Sequence, residues 1–351
     1  MRHCYKGICD NWFLYICFMI HVSVLALRNA VPGSITDSVD VFEWINSFFT
    51  QQKKEAPFKI ELLGFTREVK MKGGKYVILA DRLFNEVTES DLIIIPALTG
   101  HASSSAYINR DCAVWIADRY KSGSEIASLS TGAFLLAFSG ILNGKQCTTH
   151  WAYANEFSYH YPGVRLVDQK LITDQDGLYS SGGSNAYWNL LIHLVEKYTN
   201  RETAIRTAKY FVIDLDKNNQ SAFIIFQGLK DHEDEVILKA QQYIEEKHLE
   251  KLTVDQISDH FFITRRTFER RFKKATRHTV AEYVQRVKIE ATKKRLEIGR
   301  KTINEIMYEV GYSDIQGFRE LFKRITGMTP NEYRNKYTRQ KPDSYSYRTK
   351  I

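Results

Sequence analysis

Five helix-start signals of one kind fall within about ninety residues near the end of the chain. In each, a Ser or Thr can cap the first turn of a helix, and a Glu or Gln three residues later caps back. The pairs are Thr253/Gln256, Thr279/Glu282, Thr302/Glu305, Ser313/Gln316 and Thr329/Glu332, the last with Pro330 at the favoured first helical position. With an amphipathic stretch at 236–244 and a helix opening near Thr264, they predict roughly seven helices and no strands from Asp234 onward.

Two of these helical segments repeat at an offset of 49 residues, which becomes 50 after a one-residue slip. The matched residues are Thr253–Ile257 with Thr302–Ile306, Thr264 with Ser313, Phe268 with Phe318 and Phe272 with Phe322. Each unit reads as a short helix, a turn and a second helix, which is the helix-turn-helix pattern. The apolar spacing between the units, over 280–298, predicts a connecting helix.

The charge of the chain is concentrated in the same region. Residues 231–351 hold 26 Lys and Arg against 19 Asp and Glu, and the whole chain has a formal net charge of +8. The predicted second helix of the first unit, within 263–277, carries seven basic residues against Glu269 alone. Basic side chains can neutralise phosphates, and an arginine near the helix start can pair with guanine. A solvated basic face is the alternative for a lone charge run, but two units in register favour DNA as the partner.

The first two hundred residues alternate β-rich runs with helical patterns, and the stretch 91–96 is apolar on both faces, as a central parallel strand must be. Strands are predicted at 20–27, 58–64, 91–96, 126–130, 164–172 and 178–182, and helices at 34–50, 105–121, 131–140 and 185–198. This alternation predicts a doubly wound, flavodoxin-like α/β sheet with ligands at the carboxyl ends of its strands. The pattern changes after Tyr198, and the polar stretch 214–221 predicts a boundary region.

The amino-terminal run from Trp12 to Leu27 is almost uninterruptedly apolar. It could be a signal peptide or membrane anchor, but it contains His21 and lacks a small-residue cleavage site. Its second half reads better as a buried first strand, which raises the hypothesis that Met19 is the true start. The five cysteines (Cys4, Cys9, Cys17, Cys112 and Cys147) form no C-x-x-C pair, so neither a disulfide framework nor a zinc site is indicated.

The segment from Asp234 to Tyr337 resembles the AraC/XylS-type DNA-binding domain, most specifically in VGYSD at 310–314 and GMTPNEYR at 327–334. The resemblance implies that one monomer lays two recognition helices in successive major grooves. The residues expected to contact DNA are Arg265, Arg266, Thr267, Glu269, Arg270 and Lys273 in the first unit and Ser313, Gln316, Gly317, Arg319, Glu320 and Lys323 in the second. Two residues depart from the pattern: Phe262 stands where Gly is common, and Glu320 stands where Arg is frequent.

A strand runs directly into a helix through a tight polar turn in EIASLSTGAFLLAFSG at 125–140, which places Ser130 like the residue of a nucleophile elbow. With TTHW at 148–151 and SSGGSN at 180–185, this stretch resembles the PfpI-type, class I glutamine amidotransferase-like fold. The GlxA-like branch joins such a domain to an AraC-type domain, and the resemblance covers roughly 20–337. Catalytic members carry cysteine at the position of Ser130 and acidic residues where Ser34 and Asn189 stand.

These departures favour a sensor over an enzyme, because a serine hydroxyl needs an oriented general base and no carboxylate is evident to orient His150. The ligand-pocket residues expected at the strand ends are Ser130, Thr131, His150, Gly183 and Asn185. The alternatives are a Ser130-dependent hydrolase or amidase and a regulator anchored in the membrane by residues 8–27.

The sequence thus predicts a cytoplasmic, homodimeric regulator that binds double-stranded DNA and a small-molecule effector, with no cofactor, metal or membrane contact. The predicted segments are a sensor domain at 19–213, a linker at 214–233, a DNA-binding domain at 234–337 and a disordered tail at 338–351.

Overall fold

The computed structural model describes residues 19–215 and 219–338, which fall into two compact units. The first unit ends at Gln220 and the second begins at Ser221. The hypotheses about residues 1–18 and all of the predicted tail after residue 338 concern segments outside these described residues.

The first unit is an α/β fold. Its strands are β1 (Ile20–Ala26), β2 (Phe58–Gly64), β3 (Glu68–Met71), β4 (Tyr76–Leu79), β5 (Arg82–Leu83), β6 (Leu92–Ile95), β7 (Glu125–Ser128), β8 (Gln146–Cys147), β9 (Arg165–Leu166), β10 (Ile172–Gln175) and β11 (Leu178–Ser181). Its helices are α1 (Pro32–Gln51), α2 (Ala102–Ile108), α3 (Arg110–Lys121), α4 (Ala133–Phe138), α5 (Ala154–His160), α6 (Ala186–Tyr198) and α7 (Arg201–Tyr210).

Seven strands form one sheet in the order β10-β11-β7-β6-β1-β2-β5. All pairs are parallel except β10 with β11. The order of the five central parallel strands is that of flavodoxin-like folds, in which ligands bind at the carboxyl ends. Every residue of β6 is fully buried, because helices cover both faces of the sheet. The predicted doubly wound, flavodoxin-like class is confirmed.

Several segments of this unit differ from the prediction. Strands β3, β4, β5 and β8 and helix α5 were not predicted, and three further differences have a physical reason or place in the fold. The helix expected over 105–121 is two helices, α2 and α3, because Asn109 between them is buried and its side chain bonds backbone groups. The strand expected over 164–172 is wrong, since β9 and the first residue of β10 lie in different sheets. The helix α7, which packs on α6, lies in a stretch that was assigned no regular structure.

The second unit contains the seven predicted helices. They are α8 (Glu235–Glu246), α9 (Val254–His260), α10 (Arg265–Thr276), α11 (Val280–Ile298), α12 (Ile303–Glu309), α13 (Ile315–Thr326) and α14 (Pro330–Tyr337). Two apolar clusters hold it together, one around Phe268 and Phe272 and the other around Phe318 and Phe322. The long helix α11 contributes residues to both clusters and therefore connects the two helix-turn-helix units.

Four of the five predicted capping boxes have both reciprocal hydrogen bonds, at Thr253, Thr279, Thr302 and Thr329. The fifth is wrong. Helix α13 begins after Asp314, whose carboxylate accepts the Gln316 amide proton at 3.0 Å, so Ser313 is not the cap. Asp is as good a cap as Ser, and its position one residue later gives both second helices twelve residues.

Across residues 19–215 and 219–338, no helix has both the length and the apolar character needed to cross a bilayer. Within the part of the apolar amino-terminal run that the structure describes, residues 20–26 form strand β1, which is buried from Val22 onward.

Candidate DNA-binding surface and ligand pocket

The second helix of the first unit, α10, has one buried and one exposed side. Phe268, Phe272 and Thr276 are buried, at a spacing of four residues. Arg266, Arg270 and Lys273 are exposed at the spacing i, i+4 and i+7, which places them in one stripe opposite the buried residues. Three cations on one helical face are thus free to approach an anionic partner. We call them the first stripe.

Some of the other charged residues of α10 are already engaged within the protein. Arg265 pairs with Asp255 at 3.0 Å and with Glu269 at 3.2 Å. The two nitrogens of the Arg271 fork bond both oxygens of Asp234, at 2.9 and 2.6 Å. The pKa of Asp234 is lowered, chiefly by its hydrogen bonds from Arg271. The local excess of positive charge is therefore partly used to attach α10 to its neighbours.

The second helix of the other unit, α13, is built in the same way. Phe318, Phe322 and Thr326 are buried at the positions equivalent to those of α10. The second stripe consists of Gln316, Glu320 and Lys323, all of them exposed. The Gln316 amide donates to the Glu320 carboxylate at 3.1 Å, so these two side chains are held together. Arg319 is exposed beside them.

The remaining predicted contact residues lie at the starts of these helices. Thr267 is half-buried and its hydroxyl accepts from the hydroxyl of Thr264 at 3.0 Å. Ser313 is exposed in the turn before α13. Gly317 lies in the first turn of α13, where an added Cβ would come within 2.5 Å of an Asp314 carboxylate oxygen.

The turns of the two units differ in one residue. Gly311 occupies the left-handed region in the second unit with φ of 79°. Phe262 stands at the equivalent place with φ of 53° and is 97% exposed. A bulky side chain is disfavoured in this region of backbone space, so the turn of the first unit is strained.

The elbow of the α/β unit has the predicted form. Ser130 follows β7 with φ of 52°, in the left-handed region, and its side chain is buried. Its amide donates to the Ser181 hydroxyl at 3.0 Å, and its carbonyl accepts from Thr149 at 3.0 Å. Gly132 was not singled out from the sequence, but a Cβ there would lie 2.5 Å from the Pro96 carbonyl oxygen. Only glycine lets the turn approach β6 so closely.

The other predicted pocket residues are brought only partly together. A Cβ on Gly183 would lie 3.9 Å from Cδ2 of His150, so these two residues are neighbours. Thr131, in contrast, uses its hydroxyl to bond both the amide and the carbonyl of Leu98. Asn185 is exposed before α6 and makes no capping hydrogen bond.

Gln220, which lies in the stretch predicted as a linker, bonds backbone groups next to Gly183 and His150. Its side chain accepts from the Gly183 amide at 2.8 Å and donates to the Thr149 carbonyl at 2.9 Å. The side chain is almost fully buried. The polar composition of residues 214–221 predicted a boundary region and did not indicate that Gln220 would contact the sheet edge.

His150 is oriented by the backbone and not by a carboxylate. Its Nδ1 accepts a hydrogen bond from the Ala152 backbone amide at 3.1 Å. Burial lowers the pKa of His150, which favours the neutral ring. A neutral imidazole with Nδ1 as acceptor carries its proton on Nε2. That nitrogen is then a donor, which is the reverse of the arrangement needed to take a proton from a serine.

Ser34 and Asn189, which stand where catalytic members of the resembled family are expected to carry acidic residues, bond backbone groups of this unit. The Ser34 hydroxyl donates to Val31 and accepts from the Ala97 amide at 3.0 Å. The Asn189 amide donates to the Asp214 carbonyl at 2.8 Å.

The described cysteines are buried, and burial raises the pKa of Cys147 to about 12, so its thiol stays protonated. In the part of the chain that the structure describes, no three His, Cys, Asp or Glu side chains converge as metal ligands.

Comparison with known proteins matches both units. A helix-turn-helix domain model matches residues 257–336 and a DJ-1/PfpI family model matches residues 35–197. The chain is 26% identical over 216 residues to the HTH-type transcriptional regulator ArgR of Pseudomonas aeruginosa, covering 61% of this chain and 65% of that protein. It is 32% identical over 102 residues to the xylose operon regulatory protein of Escherichia coli, covering 29% of this chain and 26% of that protein.

The chain thus spans less than two thirds of the length of these relatives. Among solved structures, it is similar to DJ-1beta of Drosophila melanogaster, with a TM-score of 0.46 and 17% identity, covering 56% of this chain and 100% of that one. The chain therefore contains a helix-turn-helix domain of the AraC type over residues 257–336 and a DJ-1/PfpI domain over residues 35–197.

Proposed function

We propose that the protein is a transcriptional regulator that binds one DNA duplex through both of its helix-turn-helix units. The observation that carries the proposal is the equivalence of α10 and α13. Each has twelve residues, buries a Phe pair on one side and exposes a stripe at i, i+4 and i+7 on the other. Exposed second helices of this kind enter the major groove. The relatives named above are transcriptional or operon regulators, which supports the same role.

The two stripes predict unequal half-sites. The first stripe holds Arg266, Arg270 and Lys273, three cations that can bind phosphates or guanine. The second stripe holds only Lys323 as a cation, together with Gln316 and Glu320. A carboxylate repels phosphate but can accept a hydrogen bond from the amino group of cytosine. The first unit therefore contributes most of the salt-dependent affinity, and the second contributes sequence discrimination.

The test is a titration of the full chain against a duplex that the wild-type protein selects from a random library. Arg270→Ala removes a first-stripe cation and should weaken specific binding by about 1–3 kcal/mol if it reads a base. Lys239→Ala removes one charge from an exposed position on α8 and is the matched control. Equal affinities for wild type and Arg270→Ala at fixed salt would remove Arg270 from the reading surface.

The α/β unit is proposed to be a sensor of a small molecule and not an enzyme. The support is the orientation of His150, whose Nδ1 is occupied by a backbone amide, and the lack of a carboxylate partner for its ring among the described residues. The strained elbow at Ser130 is the one observation that favours a hydrolase. An active-serine probe separates the two: labelling of the wild type that is lost in Ser130→Ala would favour catalysis, and no labelling supports a sensor.

A sensor requires coupling between effector and DNA. Any effector that changes DNA affinity must have its own affinity changed by DNA by the same factor. The homodimer stays a prediction, which sedimentation velocity of the full chain would test.

A further inference from the structure

A cavity of about 370 Å³ opens at the carboxyl ends of β1 and β2, away from the elbow. It is bounded by the end of β1 and the loop after it, by the loop after β2 and strand β3, and by the end of α2. The residues that line it are Ala26, Arg28, Asn29, Phe65, Thr66, Glu68, Val69, Lys70 and Ile108. Its volume is that of a small-metabolite site, and the carboxyl edge of a doubly wound sheet is where such folds bind ligands.

The loop that carries Arg28 is fixed by hydrogen bonds to buried residues beside it. Asn109 is fully buried, and its side chain accepts from the Arg28 amide at 3.1 Å and donates to the Arg28 carbonyl at 2.9 Å. The next residue, Asn29, is in the left-handed region and bonds the Ser105 hydroxyl at 3.3 Å. Both backbone groups of Arg28 are thus satisfied, and its guanidinium is presented on a fixed support, as a binding site requires.

Three charged side chains line the cavity without an ion-pair partner among the described residues. They are Arg28, Lys70 and Glu68, and all three are exposed. Glu68 and Lys70 are two residues apart on β3, so they lie on the same face of the hairpin. Phe65, Val69 and Ile108 also line the cavity and supply apolar surface. The lining therefore has a net charge of +1, with a planar five-donor group on one side.

We propose that this cavity binds a small organic monocarboxylate with an apolar body, which would be the effector of the regulator proposed above. A guanidinium and a carboxylate match in bidentate geometry, and Lys70 adds a second cation for the same group. The apolar lining accommodates the body of the ligand. Glu68 repels a second carboxylate, so a dicarboxylate of equal length is disfavoured.

The elbow is a poorer place for this ligand. Ser130 and Thr131 are 2% and 4% exposed, and the Thr131 hydroxyl is already bonded to the backbone. The cavity side chains, in contrast, have charged groups free to exchange water for a ligand. The DJ-1/PfpI domain thus would sense its ligand at a site separate from the position of the lost nucleophile.

The test is calorimetric titration of the full chain, at low salt and without DNA, with two probes of equal carbon number, hexanoate and adipate. Hexanoate should bind at least about tenfold more tightly than adipate, because only adipate meets Glu68 with a second negative charge. Arg28→Gln should weaken hexanoate binding by about tenfold or more, and Lys70→Gln by a smaller factor. Glu68→Gln should bring the two affinities within about threefold of each other. Ser130→Ala should leave both unchanged.

Equal or tighter binding of adipate by the wild type would overturn the proposal, as would an Arg28→Gln variant that binds hexanoate normally, or no hexanoate binding at all. Loss of binding in Ser130→Ala would move the site to the elbow. Since Arg28, Glu68 and Lys70 are exposed, these variants should fold, which an unchanged tryptophan emission spectrum would verify. The titration contains no DNA, so its failure leaves the result for Arg270 untouched.

Discussion

Lys288 is a buried amine that joins the two helix-turn-helix units. It lies on α11 with 5% of its surface exposed. Its Nζ donates to the Glu250 carbonyl, before α9, at 2.9 Å and to the Val310 carbonyl, at the end of α12, at 2.6 Å. We predict that Lys288→Met destabilises the second unit. The substitution keeps the length of the side chain but removes both hydrogen bonds, and with them the link between the segment before α9 and the end of α12.

The magnitude follows from the two hydrogen bonds. A bond from a charged donor contributes about 1.5–3 kcal/mol, and a buried carbonyl left without a partner costs about 1–3 kcal/mol. Burial of the amine opposes this gain, as the lowered pKa of Lys288 indicates. The expected loss in the free energy of unfolding is therefore about 2–4 kcal/mol.

Urea denaturation of the full chain can measure this loss unit by unit. All five tryptophans precede residue 200, so their emission follows the first unit, whereas far-ultraviolet circular dichroism also follows the helices of the second. Lys288→Met should shift the dichroism transition and leave the emission transition in place. Lys294→Met, an exposed position on the same helix, is the control. A shift in Lys288→Met no larger than that of the control would refute the reasoning.

Three further predictions concern single groups. Ser23 is buried in β1, and its hydroxyl has no hydrogen-bond partner among the described residues. Ser23→Ala should therefore stabilise the first unit by about 1 kcal/mol, measured by tryptophan emission in urea. The pKa of Asp234 is held below its ordinary value of 3.8 by Arg271, so its stabilising contribution is present above that pH and is lost as the pH falls through the lowered folded value. In Asp234→Asn, the free energy of unfolding, followed by circular dichroism, should therefore fall less steeply as the pH is lowered. A decrease as steep as that of the wild type would contradict this. Burial lowers the pKa of Lys288 from its ordinary value of 10.5. Between the lowered value and 10.5 the unfolded chain binds more protons than the folded chain, so the free energy of unfolding rises with pH. This rise should be absent in Lys288→Met.

The helical second unit was predictable because its signals are local. A Thr and a Glu three residues apart make their capping bonds with no help from distant parts of the chain, and four such boxes are confirmed. The fifth was wrong because two adjacent residues, Ser313 and Asp314, could both cap the helix, and only the path of the turn decides between them. The exposed stripes also follow from local periodicity, once the Phe pairs are placed inside.

The proposed ligand site could not be predicted in the same way, because it depends on contacts between distant segments. The residue types at the elbow predicted a pocket. In the structure, however, the Thr131 hydroxyl bonds the backbone of Leu98, 33 residues away, so it is already occupied. The cavity near Arg28 combines side chains from three separate segments, and nothing in the spacing of Arg28, Glu68 and Ile108 indicates that they are neighbours. The orientation of His150 likewise depends on one backbone bond that no motif encodes.

In the proposed regulator, α10 and α13 bind one duplex at a fixed separation. The direct measurement is the affinity of the full chain for its selected duplex before and after insertion of about five base pairs, half a helical turn, between the two half-sites. If both helices bind together, the insertion rotates the second half-site to the opposite face, and affinity should fall to that of a duplex with the second half-site scrambled. An affinity unchanged by the insertion would contradict simultaneous binding by both helices, because a rigid pair of recognition helices cannot follow that rotation.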